Sequence, residues 1–228
     1  MSAFLVSIGV FVGSHLILPI PAIRNRLIGV LGRRAYLFVY SLLSIGLIIW
    51  VVAEARQAPF VALWRQQPWN ALVPLLLVPI AAWFLIAGLS QPNPLSISFR
   101  AGTNSAAGPI VRITRHPVLW AFFLWAASHV VANGDRVSLI LFGGLGIFAI
   151  VGFKLVDLRS RRRLGDERWA ELSASTSIIP FAAVLTGRTQ LAWTWQMTAS
   201  AVAAAIATIW FVFEGHLRLI GADPLLQF

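Results

Sequence analysis

The chain has 228 residues, of which 58% are hydrophobic and 11% charged, with 18 Lys and Arg against 8 Asp and Glu. A soluble domain carries roughly 25% charged residues, so this chain has too few to coat a water-soluble sphere. The net charge of +10 lies between apolar blocks, which speaks against nucleic-acid binding and for membrane loops; the absence of cysteine excludes disulfides, thiolate haem ligation and Cys-based zinc sites.

The apolar residues fall in blocks of about twenty, the length that crosses a hydrocarbon core of roughly 30 Å. The pattern predicts an all-α, polytopic membrane helix bundle, one domain over residues 1–228, with about six transmembrane helices and the lipid bilayer as its solvent. The first span covers residues 3–20 and is ended by Pro19 and Pro21. It lacks a basic n-region and a small-residue cleavage site, so it reads as a retained helix rather than a signal peptide. A basic loop with Arg24, Arg26, Arg33 and Arg34 leads to the second span, residues 35–53. A loop with Arg56, Trp64, Arg65 and Trp69 precedes the third, residues 71–89. Residues 91–115 carry Pro92, Pro94, Gly102 and Gly108 and cannot span.

The fourth span, residues 117–132, opens on Pro117, tolerated at a first helical position because that N–H has no intrahelical partner. The turn Asn133-Gly134-Asp135-Arg136 joins it to the fifth span, residues 137–156, as an antiparallel helical hairpin. Gly143, Gly144, Gly146 and Gly152 on the fifth span allow close helix approach. A polar segment, residues 157–196, follows; within it residues 161–172 read equally as an interfacial helix or a solvated loop. The sixth span covers residues 198–217. The loops after spans one, three and five, with Lys154, hold fourteen of the basic residues, against four on the other side. This predicts cytoplasmic odd loops and both termini on the outer, periplasmic side of an inner (cytoplasmic) membrane.

Ionisable groups within a bilayer are costly and are therefore the first candidates for function. All four histidines, His15, His116, His129 and His216, lie in or at the ends of apolar spans, as do Glu54 and Glu214. In a chain without cysteine, imidazole is the natural ligand for a transition metal or haem iron. At about 1.5 Å rise per residue, His15 and His116 fall towards the cytoplasmic side, and His129 and His216 towards the outer side. Each also has a plainer reading. His116, between Arg115 and Pro117, can tie down the loop before it; Arg112 and Arg115 can anchor to lipid phosphates. Glu214 and His216 point to different helix faces and do not make a dyad.

Gly13-Ser14-His15, Arg112-Ile113-Thr114-Arg115-His116-Pro117, Leu124-Trp125-Ala126-Ala127-Ser128-His129 with Asn133-Gly134-Asp135, and Thr176-Ser177-Ile178-Ile179-Pro180-Phe181 together resemble the NnrU family. That resemblance implies a polytopic membrane protein named for a link to nitrite and nitric oxide reduction. It is also similar to 15-cis-zeta-carotene isomerase, a membrane enzyme with histidine-ligated haem b that acts on a hydrophobic small molecule. The resemblance places His15 and His129 at metal-ligand positions; a third isomerase histidine would fall near Glu54–Arg56, where this chain has none. Arg115-His116-Pro117, followed by Asp157, Gly165, Trp169 and Pro180, is similar to the isoprenylcysteine carboxyl methyltransferase superfamily. That second resemblance implies S-adenosylmethionine held by Arg115, His116 and Asp157. Leu119 and Trp169 stand where that superfamily has tyrosines, and Val156-Asp157 where it has a glutamate pair. Haem protein, methyltransferase and non-catalytic assembly protein remain three open readings at this level.

Overall fold

The computed structural model describes residues 1–100 and 106–226; Gly102 lies outside them. The described chain is helical, and its one β-type pairing is an isolated antiparallel bridge between Ala62 and Asp135. The all-α membrane architecture is as expected, and among the described residues four to five of the six expected spans have full spanning length. Four helices are long and apolar enough to cross a bilayer: Arg33–Gln57, Pro68–Ser90, Arg136–Leu164 and Trp195–Ile220. A bent N-terminal pair makes a fifth if it is one span, and Pro117–Asn133 is apolar but shorter.

Two expected boundaries change. The basic stretch after the first span is not a loop: α1 (Ser2–Ile17) turns through 82° into α2 (Pro21–Leu31), which carries Arg24 and Arg26. Pro21 sits in the first turn of α2, where its fixed φ favours helix entry. Gly32, at φ 78°, separates α2 from α3 (Arg33–Gln57). The fifth apolar segment also continues as helix well past residue 156. Arginine is a good helix former, and α7 (Arg136–Leu164) runs on through Arg159 to Arg163 until Gly165 breaks it at φ 81°. The mixed-charge segment that follows is helical too, as α8 (Asp166–Ala174), which has no buried residue.

The chain forms two compact units, Met1–Leu63 with Asp135–Leu141, and Trp64–Gly134 with Phe142–Phe228. In the first unit α1 packs on α3, and Phe4, Val51 and Val137 are buried together. Asp135 caps the start of α7 by accepting hydrogen bonds from the N–H groups of Val137 (2.9 Å) and Ser138 (3.0 Å). This satisfies two of the helix's orphan donors.

In the second unit α4 (Pro68–Ser90) packs on α6 (Pro117–Asn133) and on α10 (Trp195–Trp210). The core there gathers Phe84, Ile110, Val111, Ile113 and Met197, with α5 (Ile110–Ile113) lying before α6. The expected α6–α7 hairpin is present. An added Cβ on Gly152 would stand 3.1 Å from Leu119, and one on Gly146 would stand 3.8 Å from Ala126. The glycines on α7 therefore admit α6, as their spacing suggested, although Gly144 faces open space. A short helix α9 (Ala182–Leu185) precedes α10, whose end widens into a π-helical turn, Phe211–Gly215, before α11 (His216–Ile220).

Candidate functional site

His15 and His129 are positioned by the same local device. Each is preceded by serine and stands four residues after an aromatic, in Phe11-Val12-Gly13-Ser14-His15 on α1 and Trp125-Ala126-Ala127-Ser128-His129 on α6. His15 Nδ1 donates to the Phe11 carbonyl oxygen at 2.7 Å, and His129 Nδ1 donates to that of Trp125 at 2.7 Å. The serine hydroxyls donate to the same two carbonyls, at 2.7 and 2.8 Å. The aromatic rings flank the imidazoles, with centroids 4.3 Å apart for Phe11–His15 and 5.1 Å for Trp125–His129. One helical turn thus sets both the tautomer and the tilt of each ring. With the proton committed to Nδ1, Nε2 carries a lone pair.

The surroundings of the two rings differ. His15 Nε2 is 2.9 Å from the Ser44 hydroxyl on α3, and its ring lies near Tyr40. His129 is flanked on its other side by Phe142, at 5.0 Å between centroids. His129 also lines a largely apolar cavity of about 240 Å³ in the second unit, together with Trp125, Thr208, Phe211 and His216. The two histidines belong to different compact units.

A second cluster joins Arg115, His116 and Asp157. His116 is completely buried at the start of α6. Its Nδ1 is 2.8 Å from the Ser96 hydroxyl, and its Nε2 is 3.0 Å from Asp157 Oδ1 on α7, an ion-pair distance without hydrogen-bond alignment. Arg115 Nε is 3.4 Å from the same oxygen, and the guanidinium lies 5.5 Å from the Trp169 ring centre. Burial pushes the Arg115 guanidinium below its usual range, while the Asp157 carboxylate opposes that shift.

The loop before α6 is stitched to this cluster. Asn93 Nδ2 donates to the Arg115 carbonyl (3.0 Å), Arg115 N–H donates to the Ser177 carbonyl (2.8 Å), and Arg163 donates to the Pro94 carbonyl. The three residues meet as the methyltransferase resemblance implies. They also do what the plainer reading of His116 asked, holding residues 91–99 in place.

Glu54 accepts a hydrogen bond from Trp50 one turn back, and Glu214 pairs with Arg218 at 2.6 Å. His216 Nδ1 donates to the Ala222 carbonyl oxygen at 2.7 Å, so Glu214 and His216 form no dyad. Sequence reading missed Ser44, Ser96 and Phe142 as neighbours of the histidines, because each comes from a separate element. It also missed the duplicated aromatic–Ser–His turn, whose signal was present in two five-residue stretches.

Among the described residues no group of three or more His, Asp or Glu side chains is arranged to hold a metal ion. A bare zinc or copper ion needs three or four protein donors. A haem iron brings four equatorial nitrogens of its own and asks the protein for only one or two axial ligands. Metal-bound histidines usually donate their second ring N–H to a backbone carbonyl or carboxylate. The imidazoles of His15 and His129 each have that arrangement, which suits an axial haem ligand taken singly.

Comparison with known proteins shows the family. A family model described as NnrU protein matches residues 3–224. The chain is similar to the chloroplastic 15-cis-zeta-carotene isomerase of Zea mays, 35% identical over 82 residues, covering 36% of this chain and 22% of the relative. It is similar to the Arabidopsis thaliana protein of the same name at 34% over 79 residues, covering 35% of this chain and 21% of the relative. The matched stretch thus spans about a fifth of the length of these curated relatives. No solved structure matches. With a family match over nearly its whole length, the chain belongs to the NnrU family.

Proposed function

We propose that this protein is a haem b-binding protein of the inner membrane, with an accessory, redox or isomerase-like role linked to nitrite and nitric oxide metabolism. His15 and His129 are the iron ligands implied by the resemblance to 15-cis-zeta-carotene isomerase. The observation that carries the reading is the duplicated turn, which fixes Nδ1–H on a carbonyl and leaves Nε2 as a donor of electron pairs. Haem b, when bound, supplies Lewis-acid or one-electron chemistry.

The chain's own contribution is positional. His129 is held between Trp125 and Phe142, and the apolar walls of its cavity exclude water and favour a hydrophobic partner. Use of His15 requires the half-buried Ser44 hydroxyl to turn away from Nε2 by a rotamer change. The decisive experiment is an absorption spectrum of the protein purified after expression with adequate haem. A Soret band that disappears in His129→Ala is expected; no band in the wild-type protein would sink the proposal.

A second reading, an S-adenosylmethionine-dependent methyltransferase, is favoured by the meeting of Arg115, His116 and Asp157. Against it, His116 is fully buried, with Ser96 and Asp157 facing its two ring nitrogens. Calorimetric titration with S-adenosylmethionine separates the two; heat of binding that is lost in Asp157→Asn would favour the methyltransferase.

A further inference from the structure

In the N-terminal unit, α2 takes no part in the candidate site, and its geometry gives it another use. α3 has 25 residues, about 37 Å at 1.5 Å per residue, enough to cross a hydrocarbon core of roughly 30 Å. α1 packs against it, and α2 stands at 82° to α1. None of the 11 residues of α2 is buried. A helix set square to a membrane-crossing pair lies along the bilayer surface rather than through it. We infer that α2 is an in-plane helix that binds the headgroups of acidic phospholipids.

The break that turns α2 aside is built into the chain. Pro21 opens the helix and Gly32, at φ 78°, closes it, so α2 continues neither α1 nor α3. Tyr36 is buried, and its hydroxyl donates to the Leu18 carbonyl oxygen at 3.3 Å, in the gap between α1 and α2. α2 packs on α3, and its half-buried residues Ile23, Arg24, Leu27 and Ile28 recur at helical spacing on one side. Arg26 and Val30 are exposed, Val30 by 80%. Four-residue spacing makes them neighbours. The valine methyl groups reach the acyl boundary, while the longer arginine side chain reaches up to the phosphates.

Charge complementarity names the lipid. Arg26 on α2 and Arg33 and Arg34 at the start of α3 are exposed. None of the three forms an ion pair among the described residues. No Asp or Glu precedes Glu54 in the chain. An uncompensated basic cluster at a membrane surface draws anionic lipid, gaining about fivefold in affinity for each arginine. By the charge pattern this surface faces the cytoplasm.

The chain has no native cysteine, so Val30→Cys can carry a single environment-sensitive fluorophore in the full protein. It is reconstituted in vesicles of phosphatidylcholine and phosphatidylglycerol, with bromine quenchers near the top of the acyl chains of one lipid or the other. Brominated phosphatidylglycerol is expected to quench the probe more strongly than brominated phosphatidylcholine at equal mole fraction. Arg26→Gln should weaken that preference about fivefold, Arg26→Lys should keep it, and raised salt should reduce it. A probe at Ile45→Cys, in the middle of α3, should be quenched equally by both lipids. Equal quenching by the two lipids at position 30 would overturn the inference, as would a preference unchanged by Arg26→Gln and Arg34→Gln together. Quenching at position 30 only by aqueous iodide would place α2 off the membrane. Quenching strongest with bromines deep in the chains would make α1 and α2 one broken span. Either result also overturns it.

Discussion

His116 and His129 are both intramembrane or near-membrane imidazoles, yet their ring nitrogens touch different things. His129 spends Nδ1 on its own helix and turns its ring to a cavity. His116 has Ser96 at one nitrogen and Asp157 at the other, and none of its surface is exposed. With the proton on Nε2 facing the carboxylate, Nδ1 accepts from the Ser96 hydroxyl. Such a ring is a strut: it ties the loop before α6 to α7. Replacing it with alanine strands the Ser96 hydroxyl and leaves Arg115 alone to neutralise Asp157. Leaving buried polar groups unsatisfied costs about 1–3 kcal/mol. His116→Ala is therefore expected to lower thermal stability in detergent by about that amount while leaving any haem spectrum unchanged. A lost Soret band with unchanged stability would make His116 a ligand instead.

At the scale of elements, the tightest helix contact is that of α4 with α6. An added Cβ on Gly88 would stand 2.8 Å from Val118 Cγ2 and 2.9 Å from Pro117 Cγ. Neither neighbour can swing aside, because valine is stiff at χ1 and the proline ring is fixed. Overpacking of this kind costs about 1–3 kcal/mol. Gly88→Ala should thus lower the unfolding temperature in detergent, whereas Gly144→Ala, which faces open space, should leave it unchanged; equal effects would contradict the packing. Sequence pattern located the long helices because each is a continuous apolar run. It misjudged α2, where Arg24 and Arg26 disguise a helix begun by Pro21. It also misjudged the end of α7, where arginines continue a helix beyond the apolar run. Gly88 and the Ser96–His116 contact were invisible in sequence, since both join segments far apart in the chain. The depth grouping of His129 with His216 was legible from helix rise alone, and both line one cavity.

For the whole molecule, the open question is how many times the chain crosses the bilayer, and it turns on α6. That helix has 17 residues, about 25 Å at 1.5 Å per residue, against a hydrocarbon core of roughly 30 Å. Its hairpin partner α7 has 29 residues and more than enough length. A short span can be accommodated by local thinning of the bilayer at modest cost. The charge pattern predicts that it crosses: fourteen basic residues share one side if α6 carries the chain from Arg115 to the opposite face. The chain has no native cysteine, so single cysteines report topology without background. A membrane-impermeant maleimide applied to intact spheroplasts is expected to label Gln57→Cys, Asn133→Cys and Leu226→Cys. Asn25→Cys and Ser175→Cys should react only after permeabilisation. Asn133 decides the matter: protection of that position, with Gln57 labelled, would make α6 a re-entrant helix and would move the loop between α6 and α7 to the cytoplasmic side.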